Sequence, residues 1–174
     1  MRVAARGFTL IEMLVTVVIL AVLASVLVLS VGAGDEEQRL QREIERLQAR
    51  IVYACERAEL TGRDIGLHLR ERGYAFSAAQ AEGWRFIEDD AALKRTALPE
   101  AMRLAADDEA LAENFVEKPQ LLCFASGEAT PMRIELAAGT RATRWRIDLG
   151  FDGRTTLQRR GRDDRDWRTI GQAQ

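Results

Sequence analysis

The sequence predicts an α+β fold in which one long N-terminal helix leads into a domain built on antiparallel β-sheet. Three observations support this: a nearly uncharged apolar run close to the N-terminus, a helical amphipathic pattern after it, and alternating apolar and polar residues beyond position 62. The chain has 174 residues, 47% of them hydrophobic. This length supports one globular domain with appended segments rather than two domains.

Composition limits the classes of function. The chain carries 25 Lys and Arg against 27 Asp and Glu, too balanced for a protein whose whole surface grips nucleic acid. One His and two widely separated Cys are too few for an ordinary zinc or redox site, so no metal is expected. The alternation of its predicted strand puts His68 on the polar, exposed side, where it lacks a catalytic partner.

An apolar run occupies residues 8–31, and its only charged residue is Glu12. The 19 residues from Met13 to Val31 carry no charge and would cover about 28 Å as a helix, close to a bilayer core of roughly 30 Å. We therefore predict a transmembrane helix. Arg2 and Arg6 precede the run, so the positive-inside rule places the N-terminus in the cytoplasm and the rest of the chain outside.

Three interpretations of this run compete. A cleaved signal peptide is disfavoured because the run exceeds the usual apolar region of about 7 to 15 residues. A plain membrane anchor fits the length and orientation, but it leaves Glu12 unexplained, since a carboxylate at membrane depth costs about 2.5 to 3.5 kcal/mol. The third interpretation supplies a cationic partner for Glu12 and rests on a resemblance to a known family.

That resemblance lies in the sequence Gly7-Phe8-Thr9-Leu10-Ile11-Glu12 followed by the apolar run, which is similar to the class III signal of type IV pilins and type II secretion pseudopilins. It implies that residues 1–7 are a leader, cut after Gly7 by a prepilin peptidase that also methylates the amine of Phe8. It also implies that Glu12 pairs with the N-terminal amine of a neighbouring subunit. Residues 8–31 would then be both the transmembrane helix and the core of a filament.

Residues 32–61 predict an amphipathic helix outside the membrane. Two glycines in Gly32-Ala33-Gly34 reduce helix propensity by about 2 kcal/mol relative to alanine, so we expect a kink or softened turn there. The following face is too short for a coiled-coil seam and should pack on its own domain, with Arg50 among the charged residues opposite it. We expect the helix to stop at Thr61-Gly62. The apolar face consists of Leu40, Ile44, Leu47, Ile51 and Cys55.

Residues 62–158 predict a β domain. Alternation from Ile65 to Leu69, a turn at residues 71–73 and a return through Tyr74 and Phe76 predict a hairpin, and Asp152-Gly153 predicts another. Residues 89–119 are weakly patterned and predict a long surface excursion, with one short strand near Met102 to Leu104. The charged residues 159–174 predict a solvated C-terminal tail. Inward positions of the other strands are marked by Trp84 and Phe86, by Met132, Ile134 and Leu136, and by Trp145, Ile147 and Leu149.

The sequence does not decide whether the two cysteines form a disulfide. A periplasmic location permits a bond between Cys55 and Cys123, and closing so long a loop would stabilise the fold by about 4 kcal/mol. Both positions also suit a small buried apolar side chain.

Two later segments resemble the protein H family of type II secretion minor pseudopilins: residues 61–67 leading to 73–76, and residues 119–132. The resemblance implies a type IV pilin-like fold and a subunit, not an enzyme and without a cofactor, that helps export folded proteins across the outer membrane. Its implied partners are other major and minor pseudopilins, the prepilin peptidase, the inner-membrane secretion platform and the membrane. It implies a single-pass protein of the bacterial inner membrane, with a cytoplasmic N-terminus and a periplasmic globular domain.

Two alternatives remain open at this point. One is a minor pilin of a type IV pilus, including pilins that aid DNA uptake, because five arginines lie between Arg159 and Arg168. Three aspartates in the same segment reduce its charge, so the counterion-release contribution would be small and no nucleic-acid partner is expected. The other alternative is an unrelated membrane-anchored periplasmic binding module, which would not be cut after Gly7.

Overall fold

The computed structural model describes residues 10–139 and 143–173, with the side chains of 24–35 outside the description. The chain divides into two compact units, Met1–Glu37 and Gln38–Gln174. The described residues form one α-helix and eleven β-strands, which are α1 (Leu10–Thr61), β1 (Ile65–Arg70), β2 (Gly73–Gln80), β3 (Gly83–Phe86), β4 (Thr96–Ala97), β5 (Met102–Ala106), β6 (Glu109–Ala110), β7 (Leu121–Cys123), β8 (Met132–Ala138), β9 (Arg144–Leu149), β10 (Thr155–Arg160) and β11 (Arg168–Ala173).

Helix α1 ends where the sequence predicts, at Thr61. Gly62 follows in the left-handed region with φ of 61°, which glycine adopts without steric cost. The Arg63 N–H donates to the carbonyl of Ala58 at 3.2 Å, and the Gly62 N–H donates to the carbonyl of Glu59 at 3.4 Å. These two hydrogen bonds form a Schellman motif, which satisfies carbonyl groups at the end of the helix.

The backbone of α1 is helical through Gly32-Ala33-Gly34, so these glycines do not end the helix. The kink or softened turn expected there stays a prediction. Glycine lowers helix propensity but keeps both its backbone donor and its backbone acceptor. Two glycines therefore raise the entropic cost of the helix without removing its backbone hydrogen bonds.

The strands form two antiparallel sheets. One has the order β3-β2-β1-β7, with β4 also pairing with β2, and the other has the order β11-β10-β9-β8-β5-β6. The predicted hairpin is β1 and β2, with Ile65 opposite Ala78 and Arg70 opposite Gly73. The observed helix and antiparallel sheets confirm the predicted α+β fold class.

The second unit has a core to which α1 and both sheets contribute. Four predicted helix positions are buried there, Leu40, Ile44, Leu47 and Ile51, as are three predicted inward residues of β9, Trp145, Ile147 and Leu149. Their spacing of three or four residues in the helix and two in the strand places each set on one face. Arg50 is an exception, since it was expected on the charged face but is only 7% exposed.

The structure corrects the prediction for residues 89–119, which contribute to both sheets and to the core. The short strand near Met102 to Leu104 is confirmed as part of β5, which pairs with β8. Leu93 is fully buried and Leu98 nearly so. The segment is weakly patterned because its buried residues are scattered between short strands, so no single helical or strand period connects them.

The C-terminal segment is likewise more than a solvated tail, because its last described residues form β11 on the edge of the second sheet. Trp167 lies between two guanidinium groups, with Arg146 at 4.0 Å and Arg160 at 4.6 Å from the ring centroid. Backbone pairing and cation–π contacts hold this segment, and neither requires the apolar alternation that marks a strand in the sequence.

Candidate assembly segment and its supporting domain

The first part of α1 presents a continuous apolar surface. The large apolar side chains between Leu10 and Leu23 are exposed, from 47% at Val15 to 83% at Leu10. Glu12 lies among them in the first turn of the helix. A contiguous apolar surface of this kind indicates a lipid or protein environment that covers it.

The predicted processing residues, Gly7 and Phe8, lie outside the described residues, as do the side chains of Ala24 to Val31. In the part of the chain that is described, no helix is long and apolar enough to span a bilayer.

A disulfide joins α1 to the first sheet. It connects Cys55 near the end of the helix to Cys123 in β7, with the two Cα atoms 4.8 Å apart. Cys123 is 1% exposed and Cys55 is half-buried against the core, so the bond lies at the edge of the core. The helix is therefore tied covalently to the domain at a point 68 residues away along the chain.

Buried polar side chains add two further connections between α1 and the sheets. Arg50 donates from Nη1 to the hydroxyl of Tyr74 at 3.1 Å and also to the hydroxyl of Thr96. Burial raises the pKa of Tyr74, although the Arg50 charge opposes this, so the phenol stays neutral. Gln48 donates from Nε2 to the hydroxyl of Thr155 in β10 at 3.0 Å. Each buried polar group of the helix thus has a partner in a strand.

A third connection joins the helix to the loop before β4. Asp90 accepts a hydrogen bond from the Tyr53 hydroxyl at 3.0 Å and one from the backbone N–H of Ala92 at 2.7 Å, and it pairs with Arg57. Burial opposes ionisation of this carboxyl, but the hydrogen bonds and the Arg57 charge outweigh it and hold the pKa of Asp90 below its usual value.

His68 is buried, at 1% exposure, and not on an exposed face as the alternation predicts. Its Nδ1 lies 3.0 Å from the carbonyl of Val116, which only accepts, so this nitrogen carries the proton. Its Nε2 then accepts from the Ser77 hydroxyl at 2.8 Å. The ring packs on Phe86 with centroids 4.8 Å apart. Burial lowers the pKa of His68, and the charge of Arg95 acts in the same direction.

His68 is buried rather than exposed because a later segment, residues 116–120, contacts β1. Gln120 donates from Nε2 to the carbonyl of Leu69 and accepts at Oε1 from the N–H of the same residue, both at 2.9 Å. Its side chain thus binds the edge of β1 as a neighbouring strand would. No signal within β1 itself could predict a cover that comes from about fifty residues further along the chain.

The side chain of His68 is not accessible to a substrate. His68 and Ser77 are hydrogen-bonded, but they are 1% and 0% exposed, which closes the pair to a substrate. Across residues 10–139 and 143–173, no group of three or more His, Cys, Asp or Glu side chains is placed to hold a metal ion.

Two family profiles match the chain. The profile of the prokaryotic N-terminal methylation motif matches residues 2–28, which include the predicted cleavage site and Glu12. The profile of type II transport protein GspH matches residues 43–153, most of the second unit. The first match covers the N-terminal motif on which the predicted resemblance rests, and the second covers the two later segments that resemble the protein H family.

Individual relatives are similar. Type II secretion system protein H of Pseudomonas aeruginosa is 34% identical over 149 residues, covering 77% of this chain and 84% of the relative. The protein of the same name from Aeromonas hydrophila is 30% identical over 145 residues, covering 75% and 79%.

Among solved structures, the minor pseudopilin EpsH from the type 2 secretion system of Vibrio cholerae matches with a TM-score of 0.58 and 25% identity. The match covers 72% of this chain and 98% of that one. The solution structure of Escherichia coli GspH has a TM-score of 0.53 at 21% identity, covering 78% and 99%, and supports the fold alone.

Proposed function

Because the chain belongs to the type II transport protein GspH family and is a minor pseudopilin of the type II secretion system, we propose that it enters the pseudopilus through its N-terminal helix. Assembly with other pseudopilins follows from the family. The family consists of structural subunits. Its match favours the type II secretion interpretation over a type IV pilus subunit and over an unrelated binding module.

The observation that carries the proposal is the exposed apolar surface of α1, whose residues fall within the match to the N-terminal methylation motif. The apolar side chains of residues 10–23 would be covered by lipid before assembly and by neighbouring helices afterwards. A single carboxylate, Glu12, stands in this surface. In an apolar environment, such a group is stabilised by a cation and is expensive without one.

We infer that prepilin peptidase removes residues 1–7 and methylates Phe8. Arg2 and Arg6 hold the N-terminus on the cytoplasmic side until this cut, because cationic flanks resist translocation. After the cut, the charged amine of Phe8 can enter a bundle of helices and pair with Glu12 of the adjacent subunit. The pair would set the axial register between subunits, since each carboxylate accepts one specific amine.

We further infer a single-pass location in the bacterial inner membrane, with the second unit in the periplasm and the secretion platform as a partner. The methylation motif and the family support a membrane-anchored periplasmic pseudopilin. The disulfide adds support, because such bonds persist in the oxidising periplasm and not in a reducing cytosol.

The proposal is tested with Glu12→Ala in cells that contain the complete secretion system. We expect the variant to insert into the membrane and to lose its leader. Its recovery with the other pseudopilins should fall to about one tenth of the wild-type level, which corresponds to a loss of about 1.4 kcal/mol of binding free energy. Intact mass should show loss of Met1 to Gly7 and gain of one methyl group, and only when active peptidase is present.

Glu36→Ala is the matched control, because Glu36 is an exposed acid of the same helix outside the apolar run. It should leave recovery unchanged. Wild-type recovery of Glu12→Ala would overturn the role of this carboxylate. An uncut N-terminus in the presence of active peptidase would overturn the assembly route as a whole.

A further inference from the structure

A cleft of about 390 Å³ opens at the surface of the second unit beside the first sheet. We call it the arginine cleft. Both of its charged lining residues are cationic, and all but one of its lining residues come from the excursion 89–119. The lining consists of Arg70, Arg95, Thr96, Ala97, Asn114 and Phe115.

The register of the first sheet builds one wall of this cleft. Arg70 of β1 lies opposite Gly73 of β2, and Gly73 lies opposite Ala97 of β4. A Cβ atom on Gly73 would stand 3.0 Å from Nε and 3.3 Å from Nη2 of Arg70, and only 2.6 Å from the carbonyl oxygen of Thr96. The absence of a side chain at Gly73 thus leaves room for the Arg70 guanidinium above β2.

Each of the two guanidinium groups makes a cation–π contact with a phenylalanine ring. Arg70 lies over the ring of Phe115 at 5.2 Å, and Arg95 lies over the ring of Phe86 at 4.2 Å. The two rings pack on each other with centroids 6.0 Å apart. Stacking of this kind restricts an arginine while leaving its N–H groups able to bind an acceptor. The two cations are therefore oriented in advance of any partner.

The bonds these arginines make within the chain leave capacity for an acceptor. Nε of Arg70 is enclosed within the second unit and, among the described residues, has no hydrogen-bond partner, so the terminal nitrogens of this guanidinium are the ones that can meet an acceptor from outside. Arg70 Nη1 makes one long contact, 3.4 Å to the carbonyl of Glu113. Arg95 pairs with Glu88, but the two side chains are 53% and 59% exposed, so the pair is readily exchanged for another carboxylate.

We propose that the arginine cleft binds an Asp or Glu side chain of a neighbouring pseudopilin. Two guanidinium groups beside a half-buried aromatic ring match the composition of protein–protein contact points, where Arg and aromatic residues are enriched. A carboxylate is the acceptor that a guanidinium fork fits. The proposal rests on the proposed function, which makes other pseudopilins the partners of this chain.

The test replaces arginine by lysine and uses a carbodiimide, which condenses an amine with a carboxylate in contact with it, with loss of one water molecule. In assembled filaments, the R70K variant should give an amide bond to an Asp or Glu of another pseudopilin, identified by mass spectrometry of the branched peptide. R85K is the matched control, because Arg85 is an exposed arginine of β3 outside the cleft.

A second measurement does not depend on coupling chemistry. R70Q/R95Q should lower recovery with other pseudopilins by about tenfold, equivalent to about 1.4 kcal/mol, while R85Q should leave it unchanged. R95Q alone alters a mostly exposed side chain and should give a smaller loss with an unaltered unfolding midpoint.

Coupling of R70K to another pseudopilin, with loss of recovery in R70Q/R95Q, supports the cleft. If wild type is recovered with its partners but R70K couples no more than R85K, or R70Q/R95Q is recovered like wild type, the cleft proposal is overturned and the proposed function stands. Wild type that is processed but never recovered with pseudopilins overturns both.

Discussion

At the scale of single residues, the domain depends on polar side chains that are buried together with their partners. Arg50 bonds Tyr74, Gln48 bonds Thr155, and His68 bonds Ser77. Removing one member of such a pair leaves a buried polar group without a partner, which typically destabilises a fold by about 1 to 3 kcal/mol. These pairs also fix how the helix and the strands are aligned, because each hydrogen bond has a narrow geometry.

His68 makes stability depend on pH. Burial lowers its pKa from 6.5, so the unfolded chain binds a proton at a pH where the folded chain does not. The stability that this histidine contributes is present above 6.5 and is lost as pH falls below it. Each pH unit in that window, down to the folded-state pKa, should lower the free energy of unfolding by about 1.4 kcal/mol.

Denaturant unfolding of the wild type and of His68→Gln at about pH 7.5, 6.5 and 5.5 measures this effect. The variant cannot titrate in this range, so its free energy of unfolding should fall less steeply than that of wild type. Parallel pH profiles for the two proteins would show that other groups cause the pH dependence.

At the scale of elements, one covalent and several polar contacts fix the part of α1 that belongs to the second unit on the sheets. The Cys55–Cys123 bond closes a long loop, while Arg57 and Tyr53 bind Asp90 ahead of β4. The excursion 89–119 contributes β4 and β5 to different sheets and five lining residues to the arginine cleft. A segment of this kind connects elements that are far apart in sequence, so the entropy of loop closure opposes each of its contacts.

Replacing both cysteines by alanine should lower the free energy of unfolding by about 4 kcal/mol, because the bond no longer restricts the unfolded chain. Thermal unfolding of the oxidised wild type, the reduced wild type and Cys55→Ala/Cys123→Ala measures the change. Reductant should lower the midpoint of the wild type and leave that of the double variant unchanged. An equal response in the two proteins would mean that the bond does not form in solution.

At the scale of the whole molecule, the two units have different surfaces. The first, Met1–Glu37, exposes large apolar side chains between residues 10 and 23, whereas the second, Gln38–Gln174, has its own buried core. An exposed apolar helix requires lipid or partner helices, while a domain with its own core and disulfide has the features of an independently folding body.

A chain that begins at Gln38 should therefore fold cooperatively, form the disulfide and stay in solution, whereas the full chain should partition into membranes. Flotation with lipid vesicles and thermal unfolding measure the two properties. The full chain in vesicles is the control for partitioning. A shortened chain without a cooperative transition would show that residues 1–37 are needed for the fold of the second unit.

The sequence by itself determined the apolar run, the N-terminal methylation motif, the buried face of the helix, its end at Thr61 and the β1–β2 hairpin. Each of these is a pattern among neighbouring residues, with the period of a helix or strand or with the chemistry of a turn or signal. The tertiary structure alone decided the burial of Arg50 and His68, the place of residues 89–119, the β11 strand and the arginine cleft. Those features depend on contacts between residues that lie tens of positions apart, and no local period records such contacts.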